Sequence, residues 1–232
     1  MSYVVQSVTA NDAPGLARVM FSAFWHDIYW QKLWASNMDL EAIIKDCAER
    51  LPWNLISGRS VKRHLKVVDT TSGEIVGYSR YIIPDDRTGM WIEAQTAEPN
   101  PEEKLSYEKK FQNVTDNGRT RGLDYAMTAE FGGPLEEVEE SILKESGPCF
   151  AVDYMTTHPA HKGHGVASMM LREALKQVDA AGLKTIVMAS PAGRGLYERQ
   201  GFIFVRTLAQ DYSKYGITEP YIHHWLLREP HK

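Results

Sequence analysis

The sequence predicts an α/β fold, and two stretches carry that reading. Residues 150–157 alternate apolar and polar side chains, residues 165–181 carry apolar side chains at helical spacing, and residues 185–189 return to a short apolar run. Such a strand-helix-strand unit is parallel, with a right-handed crossover. Upstream, residues 65–68 and 75–83 are rich in β-branched and aromatic side chains and flank the turn Asp69-Thr70-Thr71-Ser72-Gly73-Glu74, which makes them an antiparallel hairpin.

The other elements follow in chain order. Residues 4–8 form a first strand. Thr9-Ala10-Asn11-Asp12 has the form of a capping box and Pro14 suits a first helical turn, after which Leu16, Val19, Met20, Ala23 and Phe24 share one helical face. A second helix is expected over 39–50, with Leu40, Ile43, Ile44 and Cys47 on its apolar side. Pro84 closes the hairpin. In the long stretch 85–147 that follows, Glu98-Pro99-Asn100-Pro101 is turn-like, and 134–145 reads as an acidic amphipathic helix with Leu135, Val138 and Ile142 inward. About sixty residues is too long for a bare loop in a compact domain. Trp91, Tyr107, Phe111, Tyr125 and Phe131 argue against disorder there. From Cys149 the order is strand, helix, strand, helix, strand, strand, with the last strand at 221–227.

Composition narrows the function classes. A chain of 232 residues with 43% hydrophobic and 24% charged content is expected to form one globular domain, 1–232. A net charge of −4 without a long basic run lacks the electrostatic footprint of a nucleic-acid binder. Cys47 and Cys149 have no metal or redox spacing and read as reduced core thiols. The first residues lack a charged-then-apolar leader and no apolar run is long enough to span a bilayer, so a cytoplasmic location without a membrane partner is expected. The sequence leaves the oligomeric state unspecified.

The run Thr156-Thr157-His158-Pro159-Ala160-His161-Lys162-Gly163-His164-Gly165-Val166-Ala167 joins a strand to a helix through two glycines among basic residues. The first amides of a helix have no intrahelical partner and lie at its positive dipole end, so an anion satisfies both. Glycine lets those amides approach the ligand without a Cβ between. Two familiar phosphate motifs are missing: there is no G-x-x-x-x-G-K-S/T and no G-x-G-x-x-G with an acidic residue some twenty positions on. His158, His161 and His164 invite a metal-site reading, but Pro159 and the glycines make the segment a turn, and no fourth ligand is near in sequence. No metal is expected.

A second segment decides between phosphate loops. Strand 185–189 leads into Ser190-Pro191-Ala192-Gly193-Arg194-Gly195-Leu196-Tyr197-Glu198-Arg199-Gln200-Gly201-Phe202. Here the chain resembles the GNAT superfamily of acetyl-CoA-dependent N-acetyltransferases. That family places the acyl-CoA pyrophosphate on a loop reading Gln or Arg, two variable residues, Gly, one variable residue, then Gly or Ala; the matching residues are Lys162, Gly163, His164, Gly165, Val166 and Ala167. Its later helix typically reads L-Y-E-K-x-G-F, and Leu196 to Phe202 differ by one change, Arg199 for Lys. One helix and one strand separate the two motifs, as in the family. Lys162 departs from the family's Gln or Arg, replacing a planar fork by a point charge.

The resemblance implies a GNAT-type fold, a central mixed, mostly antiparallel sheet flanked by helices, here with a helical insertion at about 85–147 between the third and fourth strands. It implies acetyl-CoA as cosubstrate and a small-molecule amine as acceptor. An acetyltransferase for a protein or peptide amine, and a non-catalytic acyl-CoA-binding module, are the alternatives. The cofactor-binding set it implies is Met155, Thr156, Thr157, Lys162, Gly163, His164, Gly165, Val166, Ala167, Ser168, Ser190 and Tyr197. Tyr197 is the candidate acid for the leaving thiolate, since a phenol of pKa near ~10 is protonated at neutral pH. Asp153 is the candidate base, expected to be partly desolvated between Val152 and Tyr154. Trp25, Trp30 and Trp34 are either core or a wall of the acceptor site. Glu93, Glu130 or Glu136 in the insertion would draw a cationic amine.

Overall fold

Alternation in seven short segments builds the sheet, and a change of alternation within it sets the site. The computed structural model describes residues 2–231. The chain runs β1 (Tyr3–Ser7), α1 (Ala13–Phe24), α2 (Ile28–Lys32), α3 (Leu40–Ile56), β2 (Lys62–Asp69), β3 (Ile75–Ile82) and α4 (Pro101–Asn113). It continues through the two-residue strands β4 (Thr115–Asp116) and β5 (Arg119–Thr120), then α5 (Tyr125–Ser146), β6 (Phe150–Thr157), α6 (Val166–Ala180), β7 (Thr185–Ala189), α7 (Pro191–Glu198), β8 (Ile203–Gln210) and β9 (Tyr221–Arg228). Seven strands form one sheet in the order β1-β2-β3-β6-β7-β9-β8. Only β6 and β7 are parallel; every other neighbouring pair in it is antiparallel.

Two faces of this sheet are packed differently. On one, α6 buries Val166, Met170, Leu171, Ala174, Leu175 and Val178 against strand residues such as Leu65, Val76, Phe150, Val187 and Leu226. On the other, α1 and α3 bury Leu16, Val19, Phe21, Ile43, Cys47 and Leu55 around Tyr78 at the β2–β3–β6 end. At the far end of that same face α5 packs Ile142, Leu135 and Val138 on Ile186 and Trp225. Asp12 accepts from the Thr9 amide at 2.7 Å and from its hydroxyl at 3.0 Å, ahead of α1, where the capping box was expected.

Three helix boundaries differ from expectation. The segment 98–103 is not merely a turn: Asn100 Oδ1 accepts from the Glu103 amide and Glu103 answers the Asn100 amide, each at 2.9 Å, so it starts α4. α3 runs past Pro52 to Ile56, and α5 starts at Tyr125, with Pro134 inside it. Proline costs one intrahelical bond in each case, and burial of Leu55, Met127 and Phe131 around it offsets the loss.

Close approach and buried charge fix the helices to the sheet. A Cβ built on Gly77 would stand 2.5 Å from Val166 Cγ1, so the start of α6 rests on β3 only because residue 77 has no side chain. Arg63 is fully buried without a carboxylate partner; its guanidinium donates to the carbonyls of Met90, Arg59, Ser60, Lys62 and Thr88 and ties down the segment after β3. Arg228 at the end of β9 grips Asp179 near the end of α6 with two bonds of 2.7 and 2.8 Å.

Gly77→Ala is expected to destabilise the protein by about 1–3 kcal/mol through overpacking. Urea midpoints measure it, and Val166→Ala combined with Gly77→Ala should recover part of the loss.

Candidate active site

The site begins where two strands part. Arg80 of β3 faces Tyr154 of β6, but the next pair is Tyr81 with Val152, so Asp153 is an extra residue, a bulge. On its other side β6 pairs with β7 only over Phe150–Thr185, Ala151–Ile186 and Val152–Val187. A bulge bends its strand and sharpens the local twist, so the half of β6 after Asp153 turns away from β7. The bulge also exchanges the faces: Val152 packs with α6, and beyond it Met155 joins that side while Tyr154 packs with α1 and α3. Residues 153–157 therefore present a strand edge that β7 leaves unpaired.

At the far end of that edge lies the glycine loop. Gly163 and Gly165 have φ of 81° and 80°, a region that side chains with a Cβ avoid, and nothing stands within 4 Å of a Cβ at either. α6 starts at Val166, and its first intrahelical bond is from the Met169 amide to the Gly165 carbonyl. The amides of Val166, Ala167 and Ser168 lie ahead of that bond and are unpaired by helix geometry. Those of Gly163, His164 and Gly165 find no backbone acceptor among the described residues. Lys162, Gly163, His164 and Gly165 are all exposed. Tyr3 Oη and His161 Nδ1 lie 2.9 Å apart, anchoring the approach to this loop on β1. No group of three metal-binding side chains occurs among the described residues, and the three histidines form none.

Tyr197 stands on the α6 side of the opening, buried, in an edge-on contact with Phe202 at 5.5 Å. Its hydroxyl approaches Met155 Sδ, across on β6, at 4.0 Å. Burial pushes the phenol well above its ordinary value, so it is a neutral hydrogen-bond donor over the whole working range of pH. Ser190 caps α7, its hydroxyl accepting from the Gly193 amide at 3.3 Å. Thr157 Oγ1, at the end of β6, is buried without a partner, and Thr156 Oγ1 reaches the Tyr78 carbonyl at 3.4 Å.

The opposite side of the opening is polar. Asp153 is not set between apolar neighbours as its sequence context suggested; it is ion-paired with Arg80, both side chains being 33% exposed. Across β2, His64 lies opposite Arg80, with its Nδ1 3.0 Å from the Tyr78 hydroxyl and its Nε2 buried without a partner. Aromatic rings wall this side: Phe24 stacks on Trp30 at 5.0 Å and meets Tyr154 edge-on at 5.9 Å. Of the three early tryptophans, Trp34 is core, while Trp25 and Trp30 are half-buried against the same cluster. Tyr29, Phe131, Tyr212 and Tyr221 close one end, with Tyr29 stacked on Tyr221 at 3.8 Å.

Among the acidic residues expected to face a cation, Glu130 is committed to Lys214 and Tyr215, and Glu93 and Glu136 are exposed. The carboxyl that faces this side is Glu139 of α5, half-buried and bonded by Trp225 Nε1 at 3.3 Å. Sequence reading passed over it. Its signal was an acidic residue within the apolar stripe of Leu135, Val138 and Ile142.

Residues 85–205 match the family model described as acetyltransferase (GNAT) domain. That match includes the whole of the segment 85–147, expected from the sequence to be an insertion outside the family core. Among solved structures, the chain is similar to histone acetyltransferase HPA2 and related acetyltransferase from Corynebacterium glutamicum, at 16% identity, TM-score 0.58, covering 100% of this chain and 98% of the other. It is also similar to the Drosophila melanogaster polyamine N-acetyltransferase, at 13% identity, TM-score 0.59, covering 98% and 100%. The C-terminal condensation domain of Ebony, solved with beta-alanyl-dopamine, gives 14% identity and TM-score 0.60, covering 97% and 98%. At these identities the structural likeness shows a shared fold and no more. No curated protein matches in sequence. Among the described residues no helix is long and apolar enough to cross a membrane.

Two buried histidines make stability depend on pH. Burial first, then Arg80, Lys62 and Arg63, lowers His64 to about 3; burial first, then His224, lowers His223 to about 4. Both folded values lie below the unfolded value of about 6.5, so their contribution is full above that pH and is lost as pH falls towards the folded values. Urea midpoints are expected to decline from pH ~6.5 downward, by up to about 1.4 kcal/mol per pH unit for each histidine. His223→Gln should make the decline shallower.

Proposed function

The chain belongs to the GNAT acetyltransferase family, and from that premise we propose that it transfers the acetyl group of acetyl-CoA to the amine of a small-molecule acceptor. The observation that carries this reading is the opening between β6 and β7, which has an anion-binding loop at one end and two chemically different sides. Gly163, His164, Gly165, Val166, Ala167 and Ser168 would hold the pyrophosphate through their amides, with Lys162 as a nearby point charge. The edge of β6 at Met155, Thr156 and Thr157 offers backbone groups to the pantetheine amides, as a further strand would pair there. Empty space over both loop glycines fits a phosphate group lying against the backbone.

The chemistry needs an uncharged amine, a thioester carbonyl within reach and a donor for the leaving sulfur. Tyr197 lies on the α6 side beside Met155 and keeps its proton, which suits it to donate to the departing thiolate. The amine enters from the other side, past Phe24, Trp30 and Tyr154, where Asp153 places a carboxylate at the point of parting. Walls of α1, α2 and α5 on this side favour a small acceptor over a peptide, in keeping with the polyamine acceptor in the name of the Drosophila structure. Ser190, engaged as a helix cap, acts on the cofactor through the placement of α7.

Four outcomes are expected. Acetyl-CoA at millimolar concentration should raise the melting temperature, because a ligand that binds the native state alone stabilises it. Gly165→Val should abolish that rise, since φ of 80° and the open backbone are both lost. Free thiol should be released from acetyl-CoA only when a suitable amine is present; binding without turnover across a broad amine panel would instead support a non-catalytic module. Tyr197→Phe should lower turnover by about tenfold to a thousandfold with little change in CoA affinity. Equal loss of both would give Tyr197 a packing role.

A further inference from the structure

Glu139 is a carboxylate inside an apolar stripe. It lies one turn from both Leu135 and Ile142, which face the sheet, and burying a carboxylate is costly unless it is paired. Its hydrogen bond comes from a neutral donor, Trp225 Nε1. Trp225 is fully buried on β9 and pairs across to Met188 of β7, next to the last β6–β7 pair at Val152 and Val187. Glu139 thus stands over the point where the strands part, on the side opposite Tyr197.

Two acidic side chains lie near it. Asp153 comes from β6 and Glu136 from its own helix, and Cys149 lies nearby. Asp153 has Arg80 as its partner, whereas Glu139 forms no ion pair among the described residues. A second polar group is left without a partner on this face of β9. His223, two residues from Trp225 on the same face of β9, is buried with Nδ1 unpartnered. On the same face Met188, an apolar side chain of the central sheet, stays 37% exposed.

We propose that Glu139 receives the acceptor's ammonium group and takes a proton from it. The proposal rests on the acetyl-transfer reading and assigns the proton acceptor of that reaction to a residue of α5. The acceptor is accordingly a primary ammonium compound. A proton passes from the ammonium to Glu139, and the freed nitrogen lone pair attacks the thioester carbonyl carbon. The C–N bond forms, the C–S bond breaks, and the sulfur takes a proton from Tyr197. The nitrogen sheds its second proton to solvent, solvent restores the Tyr197 proton, and Glu139 returns its own proton to solvent. One proton is released for each amide made.

The two carboxylates divide the work by environment. Burial, ahead of the opposing Trp225 bond and the Asp153 and Glu136 charges, raises Glu139 above the usual glutamate range, towards the pH at which a base is most effective. Asp153 is instead engaged in its ion pair with Arg80.

The test is the pH dependence of kcat/KM for the best amine in wild type, Glu139→Gln and Asp153→Asn, each first shown to be folded by its melting shift with acetyl-CoA. Glutamine keeps an oxygen for Trp225. Glu139→Gln is expected to lower kcat/KM by about ten- to a hundredfold and to flatten its rise with pH, with acetyl-CoA affinity within about twofold of wild type. Glu139→Asp should recover part of the rate. A wild-type pH profile in Glu139→Gln, or a rise lost in Asp153→Asn alone, overturns the assignment while leaving acetyl transfer intact. Wild-type protein that binds acetyl-CoA but acetylates no amine overturns the functional reading and this assignment together. Carbon-13 titration gives an independent readout: the glutamate carboxyl signal missing from Glu139→Gln should titrate above ~4.3, and an ordinary midpoint overturns the proposal.

Discussion

The parting of β6 from β7 after three residue pairs is the constraint on which the rest of the site depends. A fully zipped parallel pair would leave no room for a ligand in the plane of the sheet. The bulge at Asp153 supplies the cause, since one unpaired residue bends the strand and turns its later half away. The same residue exchanges the faces of β6, so Met155 meets Tyr197 on one side while Tyr154 meets Phe24 on the other. One extra residue thus produces both the gap and its two differently furnished walls.

A gap in a sheet is a liability unless its borders are held, and here they are held largely by buried polar groups. Arg63 draws the segment after β3 onto the sheet through carbonyls alone, a solution that needs no second charge. Arg228 and Asp179 clamp β9 to α6, on the outer side of the gap. Gly77 lets the start of α6 sit directly on β3, which fixes the first turn and the loop before it. The loop itself is exposed and makes few bonds, so its position is inherited from these contacts.

On the proposed reading, placing polar groups on one side and a buried phenol on the other separates the proton movements that acyl transfer demands. A single shared pocket would let base and acid neutralise each other. Asp153, Arg80, His64 and Glu139 lie on the α1–α5 side, and Tyr197 lies among the apolar residues of the α6 side. The low polarity around Tyr197 keeps it neutral.

Local patterning determined much of this protein. Alternation at 150–157, the glycines at 163 and 165 and the helical spacing after them placed β6, the loop and α6 within a residue of their observed bounds. The resemblance of Leu196 to Phe202 to the family's helix motif singled out Tyr197, and the fold sets it at the edge of the gap. Helix ends near proline were less legible: helices expected over 39–50 and 134–145 run on past Pro52 and begin before Pro134, since burial of distant partners outweighed one lost bond. Tertiary structure alone decided which carboxylates face the opening. Asp153 met Arg80 through a cross-strand register that no local pattern encodes, and Glu139 met Trp225 from 86 positions away. Periodicity fixes which side of an element a residue occupies; what waits on that side depends on how the elements are packed.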